Sequence, residues 1–281
     1  MKIIVSASRR TDLISFFPEW LSSVVKKESV RVYGPSRNSY VVNLSPDSVH
    51  TLVLWSKNFS NLIENRFSLR DAVKKYDNLY FHFTITGLGG SIIERGVPSP
   101  EVALSQLDFL IEIAESPEHI SIRFDPIIYW REGKRIRTNL LFFEKLAPQL
   151  HKRGIKHVRF SFAQWYKKAV RRAQKHRFSF FDPSEEEKIE AAKFLVKIAD
   201  QWKLCLYSCA QNFLIGVEGI SRSSCIDGAF LQNLHPENEP ASTNKDKTQR
   251  KECGCTESLD IGSYTQFCPH SCLYCYANPK M

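Results

Sequence analysis

Near its end the chain reads Cys268-Pro-His-Ser-Cys272-Leu-Tyr-Cys275. The spacing C-x3-C-x2-C delivers three thiolates from one short loop. Three thiolates can hold a 4Fe–4S cluster and leave one iron without a protein ligand, open to bind and activate a small molecule. A structural zinc instead takes four ligands, typically from paired C-x2-C or C-x2-C/H-x3-H units. His270 could serve as a fourth ligand, but a donor two residues from Cys268 in so tight a loop would be awkward. Ferredoxin-type clusters draw on four cysteines, often in C-x2-C-x2-C runs. Three cysteines in x3/x2 spacing, with the aromatic Tyr274 just before the last, fit an open-iron cluster best.

Four further cysteines form a second set. Cys253-Gly-Cys255 precedes the final apolar stretch, Cys209 ends an earlier one, and Cys225 lies in Ser224-Cys225-Ile226-Asp227-Gly228. Together they could hold an auxiliary 4Fe–4S cluster or a tetrahedral zinc. Inert buried thiols are the plain alternative. Cys205 sits inside an apolar run and reads as core. No signal-peptide pattern and no run of about 18 apolar residues is present, so a cytoplasmic protein with no membrane span is expected. In that compartment cysteines serve metal or redox chemistry more than disulfides.

These residues must be positioned by a scaffold, and the pattern names one. Stretches 3–8, 50–55, 79–86, 120–128, 157–162, 204–209 and 258–264 are β-branched or aromatic-rich and read as buried parallel strands. Helices are expected over 18–27, 99–114, 140–153, 165–176 and 183–202, the last capped by Asp182 with Pro183 in its first turn. Segment 31–44 reads as a hairpin turning at Pro35-Ser36-Arg37-Asn38. Alternating strands and helices give an α/β fold with a parallel sheet, here a complete or partial TIM-like barrel. A doubly wound sheet would be the alternative, but no GxGxxG or Walker A motif supports it. One domain spans 1–281, with a polar surface loop over 234–251 and a cysteine-rich segment over 252–281.

The net charge of +9 is concentrated. Residues 131–177 hold 15 Lys and Arg against Glu132 and Glu144, a local +13 that leaves −4 elsewhere. Such a segment suits phosphates, and equally a set of solvated helix faces.

Function in a parallel barrel gathers at the carboxyl ends of the strands. Here those ends carry Ser6-Ala7-Ser8-Arg9-Arg10-Thr11-Asp12, Trp55-Ser56-Lys57-Asn58, Thr84-Ile85-Thr86-Gly87, Arg123-Phe124-Asp125-Pro126, Arg159-Phe160-Ser161 and Ser208-Cys209-Ala210-Gln211. Core strands avoid charged residues because an unpaired buried charge is costly. Each could be a salt bridge or a cap on its own. Six ends of this kind suggest one polar pocket. Gly87-x-Gly89-Gly90 could present N–H groups to an anion, although a simple glycine turn explains it as well.

The loop 268–277, of form CxxxCxYCYA, resembles the cluster loop of radical S-adenosylmethionine (radical SAM) enzymes, especially the branch containing spore photoproduct lyase. Trp55-Ser56-Lys57-Asn58 and Arg123-x-Asp125-Pro126 resemble strand-end motifs of that branch. Over nearly its full length the chain resembles the family called domain of unknown function 1848. The marks are Ser6-Ala7-Ser8-Arg9-Arg10-Thr11-Asp12 and Cys253-Gly-Cys255-x2-Ser258-x-Asp260-Ile261-Gly262-x-Tyr264. Gln211 departs from the glutamate expected of that family, which weakens any acid–base role there.

The resemblance implies an open 4Fe–4S cluster on Cys268, Cys272 and Cys275 that binds S-adenosylmethionine and yields a 5′-deoxyadenosyl radical. It places Thr84, Thr86, Gly87, Arg123, Asp125 and Tyr274 toward that cofactor. It puts Arg9, Arg10, Asp12, Lys57, Asn58 and Ser161 toward a substrate, with Arg10, Asp12, Lys57 and Asn58 as catalytic candidates. An electron donor such as ferredoxin or flavodoxin is then implied, and nucleic acid is a candidate substrate through segment 131–177. The alternatives are a non-enzymatic, redox-responsive iron–sulfur nucleic-acid binder and a structural zinc domain. Radical SAM loops usually lie near the start of their domain. The late loop is accommodated if the barrel is circularly permuted, with 258–264 a parallel neighbour of 3–8 and Arg9–Asp12 within reach of the cysteines.

Overall fold

The computed structural model describes residues 1–34 and 38–277. Thirteen strands follow in order: β1 (Ile3–Ala7), β2 (Ser29–Tyr33), β3 (Ser39–Asn43), β4 (Val49–Ser56), β5 (Leu79–Thr84), β6 (Ile120–Ile127) and β7 (Tyr129–Glu132), then β8 (Arg135–Thr138), β9 (His157–Phe162), β10 (Phe180–Phe181), β11 (Cys205–Ser208), β12 (Ile220–Arg222) and β13 (Leu259–Asp260). Eight of them form one sheet in the order β12-β11-β9-β6-β5-β4-β1-β13. Every pairing in it is parallel. The expected α/β class with a parallel sheet is therefore present. β2 and β3 make the expected antiparallel hairpin, whose turn at Pro35-Ser36-Arg37 lies outside the described residues.

The strand order never reverses, as it would in a doubly wound sheet. Each new strand joins the same growing edge, except the last, which joins the far side of the first. Val5 pairs with Leu259 and Ser6 with Asp260, so the neighbour relation expected for 3–8 and 258–264 is found. The sheet is open among the described residues: β12 and β13 are its edges. A complete barrel is not formed: the edge strands β12, of three residues, and β13, of two, do not pair with each other. The strand expected over 258–264 is much shorter: pairing with β1 covers Leu259 and Asp260, and Gly262 N then turns back to Asp260 Oδ1.

Alternation along each strand separates two faces. Val5, Ala7, Leu52, Leu54, Phe81, Phe83, Ile122, Phe124, Val158, Phe160 and Leu206 enter the main core. The helices Pro18–Lys26, Pro100–Ala114, Phe143–Lys152 and Glu185–Gln201 bury their apolar stripes in that same core. The opposite face presents Ile4, Val53, Trp55 and Tyr80, packed against Cys225, Ile226, Leu231, Ala241 and Cys255. The polar residues Ser6, His82, Ser121, Arg123, Arg159 and Ser161 share the strand parity of this second face. A face so polar needs internal partners rather than a helix layer.

One local expectation is corrected. The helix over Glu185–Gln201 is capped by Ser184 in a reciprocal box with Glu187, not by Asp182, which pairs with Lys188 at 2.8 Å. Serine with Glu three residues on satisfies two backbone N–H groups at once, which one aspartate cannot. Segment 234–251 is irregular, yet His235, Ala241 and Asp246 within it are buried.

Beyond β6, Asn139 ties the strand ends together. Its Oδ1 accepts from Ile128 N at 2.8 Å, and its Nδ2 donates to the carbonyls of Thr86 and Pro126 at 2.9 and 3.2 Å. Asn139→Ala leaves two buried backbone groups and the half-buried Pro126 carbonyl without this partner and should lower unfolding free energy by about 3 kcal/mol in urea titrations. An unchanged midpoint would show that these bonds do not hold the strand ends.

Candidate metal centre and active-site cavity

The carboxyl ends of the strands meet in one cavity of about 330 Å³. All seven cysteines of the two sets line it. Ser8, Arg9, Arg10, Asp12, Trp55, Lys57, Thr84, Arg123, Asp125, Ser161 and Tyr274 line it too. The sequence-predicted residues Thr86, Gly87 and Asn58 do not. Thr86 and Gly87 form the turn beyond β5, with the Thr86 hydroxyl accepting from Leu88 N. Asn58 faces Gln106, whose amide donates to its Oδ1 at 2.7 Å.

Asp12 is the hub of the first cysteine loop. It is buried and accepts from Ser15 N at 2.9 Å, Ser56 Oγ at 2.8 Å and Lys57 N at 2.8 Å. His270 Nε2 lies 2.7 Å from its Oδ2. Burial alone would raise the Asp12 pKa, but the His270 contact and the backbone donors bring it below the ordinary carboxylate value. The second His270 nitrogen, Nδ1, meets the Gly96 carbonyl at 2.8 Å. Both ring nitrogens are thus engaged, and the loop offers three thiols and no spare imidazole. Gly96 packs so closely that a Cβ would stand 2.8 Å from the Pro269 carbonyl.

On the other side of the loop, Arg172 is buried and donates to the carbonyls of Leu273 and Cys275 at 3.0 and 2.8 Å. Lys57 sits between Glu94 (2.9 Å) and the ring of Tyr274 (5.8 Å). Burial disfavours its charge, yet Glu94 and Cys272 hold its pKa above the ordinary lysine value. The Tyr274 hydroxyl donates to the same Glu94 carboxylate, and burial pushes its pKa well up. Burial likewise raises Cys268, to about 11, and lifts Cys272 well above a free thiol, with Lys57 opposing in part. Cys275 is raised by burial too, opposed by a backbone N–H and Arg172. Without a cation these thiols keep their protons, and binding a metal would expel them.

The second cysteine set lies on the same cavity. Arg123 Nη1 donates to Cys225 Sγ at 2.9 Å, while Nη2 binds Asp125. The guanidinium stacks on Trp55 at 5.3 Å, and Trp55 stacks on His82 at 4.0 Å. Cys225 interacts directly with Cys209 and Cys255, and Cys255 with Cys253. Those contacts and Arg123 hold Cys225 well below an ordinary thiol. Among the described residues no three His, Cys, Asp or Glu side chains are spaced as ligands of one metal ion. All eight cysteines are free of disulfides. Among residues bordering the cavity, Arg9 Nε, Thr11 Oγ1 and Trp55 Nε1 are buried with no hydrogen-bond partner among the described residues.

The profile of the family described as domain of unknown function (DUF1848) matches residues 4–277. The chain is a member of that family. No curated protein matches it.

Several site residues carry little sequence signal. Glu94 lies in an irregular loop, where no periodicity marks it for burial. Arg172 was legible in principle: it shares an i, i+3, i+4 stripe with buried Ala169 and Ala173. Asp260 accepts from Ser6 and Ser8 hydroxyls, Arg9 N and Gly262 N, locking β13 to β1. Gln211 uses both ends of its amide on the Phe162 backbone, at 2.8 and 3.0 Å. A glutamate there could accept from Phe162 N but would need a proton to bond its carbonyl. The basic excess of 131–177 is partly spent internally, since Arg159 and Arg172 are buried and Arg137 and Arg153 pair with Glu132 and Asp108.

The lowered Asp12 pKa fixes the sign of a pH effect. Its stabilisation is complete above the ordinary carboxylate pKa and is lost as pH falls through the lowered folded value. Asp12→Asn should therefore cost about 3 kcal/mol at neutral pH in chemical unfolding, because it breaks a buried pair. The gap to the wild type should narrow in acid. A gap independent of pH would mean that Asp12 is held as a neutral acid.

Proposed function

We propose that this chain is an iron–sulfur enzyme of the radical S-adenosylmethionine type, with Cys268, Cys272 and Cys275 as the cluster ligands. One observation carries the reading. The three thiols line a cavity with Thr84, Arg123, Asp125 and Lys57, while His270, the nearest candidate for a fourth ligand, is committed to Asp12 and Gly96. The donor set fits a cluster with one open iron. When bound with S-adenosylmethionine, such a cluster supplies one-electron cleavage of the sulfonium.

The chain's own residues would then have defined tasks. Arg172 and the Gly96–His270 contact hold the loop whose three cysteines line the cavity. Lys57 stands beside Cys272 and offsets negative charge gathered there. Tyr274, tethered to Glu94, forms an aromatic wall whose orientation is set before any ligand arrives. Thr84, Arg9 and Thr11 line the space an amino-acid carboxylate or amine would occupy, and Trp55 adds an aromatic wall to it. Excluding water from such a space protects reactive species inside it. The one-way strand order with β13 beside β1 is what a circularly permuted partial barrel of this type requires.

The test is anaerobic reconstitution with iron and sulfide, then dithionite and S-adenosylmethionine, with mass spectrometry for 5′-deoxyadenosine and methionine. Wild type should form both, and Cys272→Ser should form neither while losing about four irons. An intact, reduced cluster that yields no 5′-deoxyadenosine overturns the reading.

A further inference from the structure

Cys209, Cys225, Cys253 and Cys255 come from three separated segments, yet all four sulfurs border one cavity. Cys209 follows β11 and Cys225 follows β12, two neighbouring parallel strands. Cys253-Gly254-Cys255 is pressed against the β12 exit, where a Cβ on Gly254 would stand 2.6 Å from Ser224 Oγ and 2.7 Å from the Ser223 carbonyl. Ser224 Oγ donates to the Gly254 carbonyl at 2.9 Å, and Thr256 N to the Ile226 carbonyl at 2.9 Å. The fold thus stitches the C-x-C turn beside Cys225. Two N–H donors point at sulfur: Arg123 Nη1 at Cys225 (2.9 Å) and Ile226 N at Cys255 (3.4 Å).

Inert core thiols do not explain this arrangement. Arg123 is largely buried, and among the described residues Asp125 is its carboxylate partner. Spending a buried guanidinium on a neutral thiol would waste its strongest bonds, whereas a thiolate-ligated centre offers the negative charge that it fits. Hydrogen bonds to ligating sulfurs are a means of tuning such centres. A structural zinc is closed about its ion. Here the four sulfurs instead border the cavity shared with the three-thiol loop.

We propose that Cys209, Cys225, Cys253 and Cys255 bind a second iron–sulfur cluster, fully ligated by protein, with Arg123 as a positioning residue on the Cys225 sulfur. This assigns Arg123 to the second centre as well as to the wall of the cofactor space. The assignment stands apart from the S-adenosylmethionine chemistry.

The experiment counts metal and reads the potential. Wild type reconstituted anaerobically should hold about eight irons and eight sulfides, and Cys268→Ala/Cys272→Ala/Cys275→Ala should keep about four of each. Cys225→Ser/Cys253→Ser should lose this second complement and retain the first. In the triple variant, adding Arg123→Gln should keep the iron and lower the midpoint potential, because a cation on the ligating sulfur favours the more negative, reduced state. A wild type limited to about four irons, a folded triple variant without iron, or stoichiometric zinc in the second set overturns the proposal. An unmoved potential in Arg123→Gln removes Arg123 from it. Should the triple variant fail to fold, the wild-type iron count decides alone. Eight irons without 5′-deoxyadenosine would sink only the enzymatic reading, and 5′-deoxyadenosine with four irons only this one.

Discussion

A single buried carboxylate holds the site together. Asp12 stands at the exit of the first strand and caps the short helix Leu13–Phe16 through Ser15 N. It also takes the backbone of Lys57 at the end of β4 and the ring of His270 in the last loop. Three segments that are remote in sequence converge on its two oxygens. Burying a carboxylate is tolerable only when donors surround it, so each of these contacts is required by the others. The constraint explains why the cysteine loop can lie at the end of the chain and still reach residues from the beginning.

The sheet supplies the rest of the logic. Its helices cover one face, and the other face is left with histidine, serine, arginine and aspartate at alternate positions. Such a surface is stable only if its polar groups find partners among themselves or with a ligand. The segment that carries Cys225, Ile226, Ala241 and Cys255 covers part of it with apolar side chains and brings sulfur to Arg123. The cavity that remains is polar on one wall, aromatic on another and rimmed by seven thiols. Opposite charges are interleaved there: Lys57 with Glu94, Arg123 with Asp125, Arg10 with Asp260. Pairing each buried cation locally keeps the site neutral enough to fold before any ligand binds.

This arrangement also separates anchoring from reach. Arg172, Gln211 and Asn139 spend their hydrogen bonds on backbone, and Asp260 on backbone N–H groups and two serine hydroxyls, holding loops in place. Lys57, Arg123, Thr84 and Tyr274 stand at the cavity itself. Residues of the same chemical type serve both purposes, and only their partners tell them apart.

The sequence by itself determined the α/β class, six of the main strands nearly to their ends, and the two cysteine sets. Strand periodicity and thiol spacing are local properties, and local properties survive in a linear reading. It also pointed to strand-end residues as a common pocket, because charged groups inside apolar runs need a reason to be there. Only the tertiary structure decided which of them share the cavity: Arg10, Asp12, Lys57, Thr84, Arg123 and Asp125 do, whereas Asn58, Thr86 and Gly87 are spent on turns and on Gln106. It alone brought in Glu94, which no pattern marks, and showed which carbonyls Arg172 holds from its buried helix stripe. It likewise decided that the sheet stays open, because closure depends on whether two edges remote in sequence, β12 and β13, meet in space. Burial and hydrogen-bond partnership are properties of the folded ensemble of contacts, so no spacing rule could have assigned them.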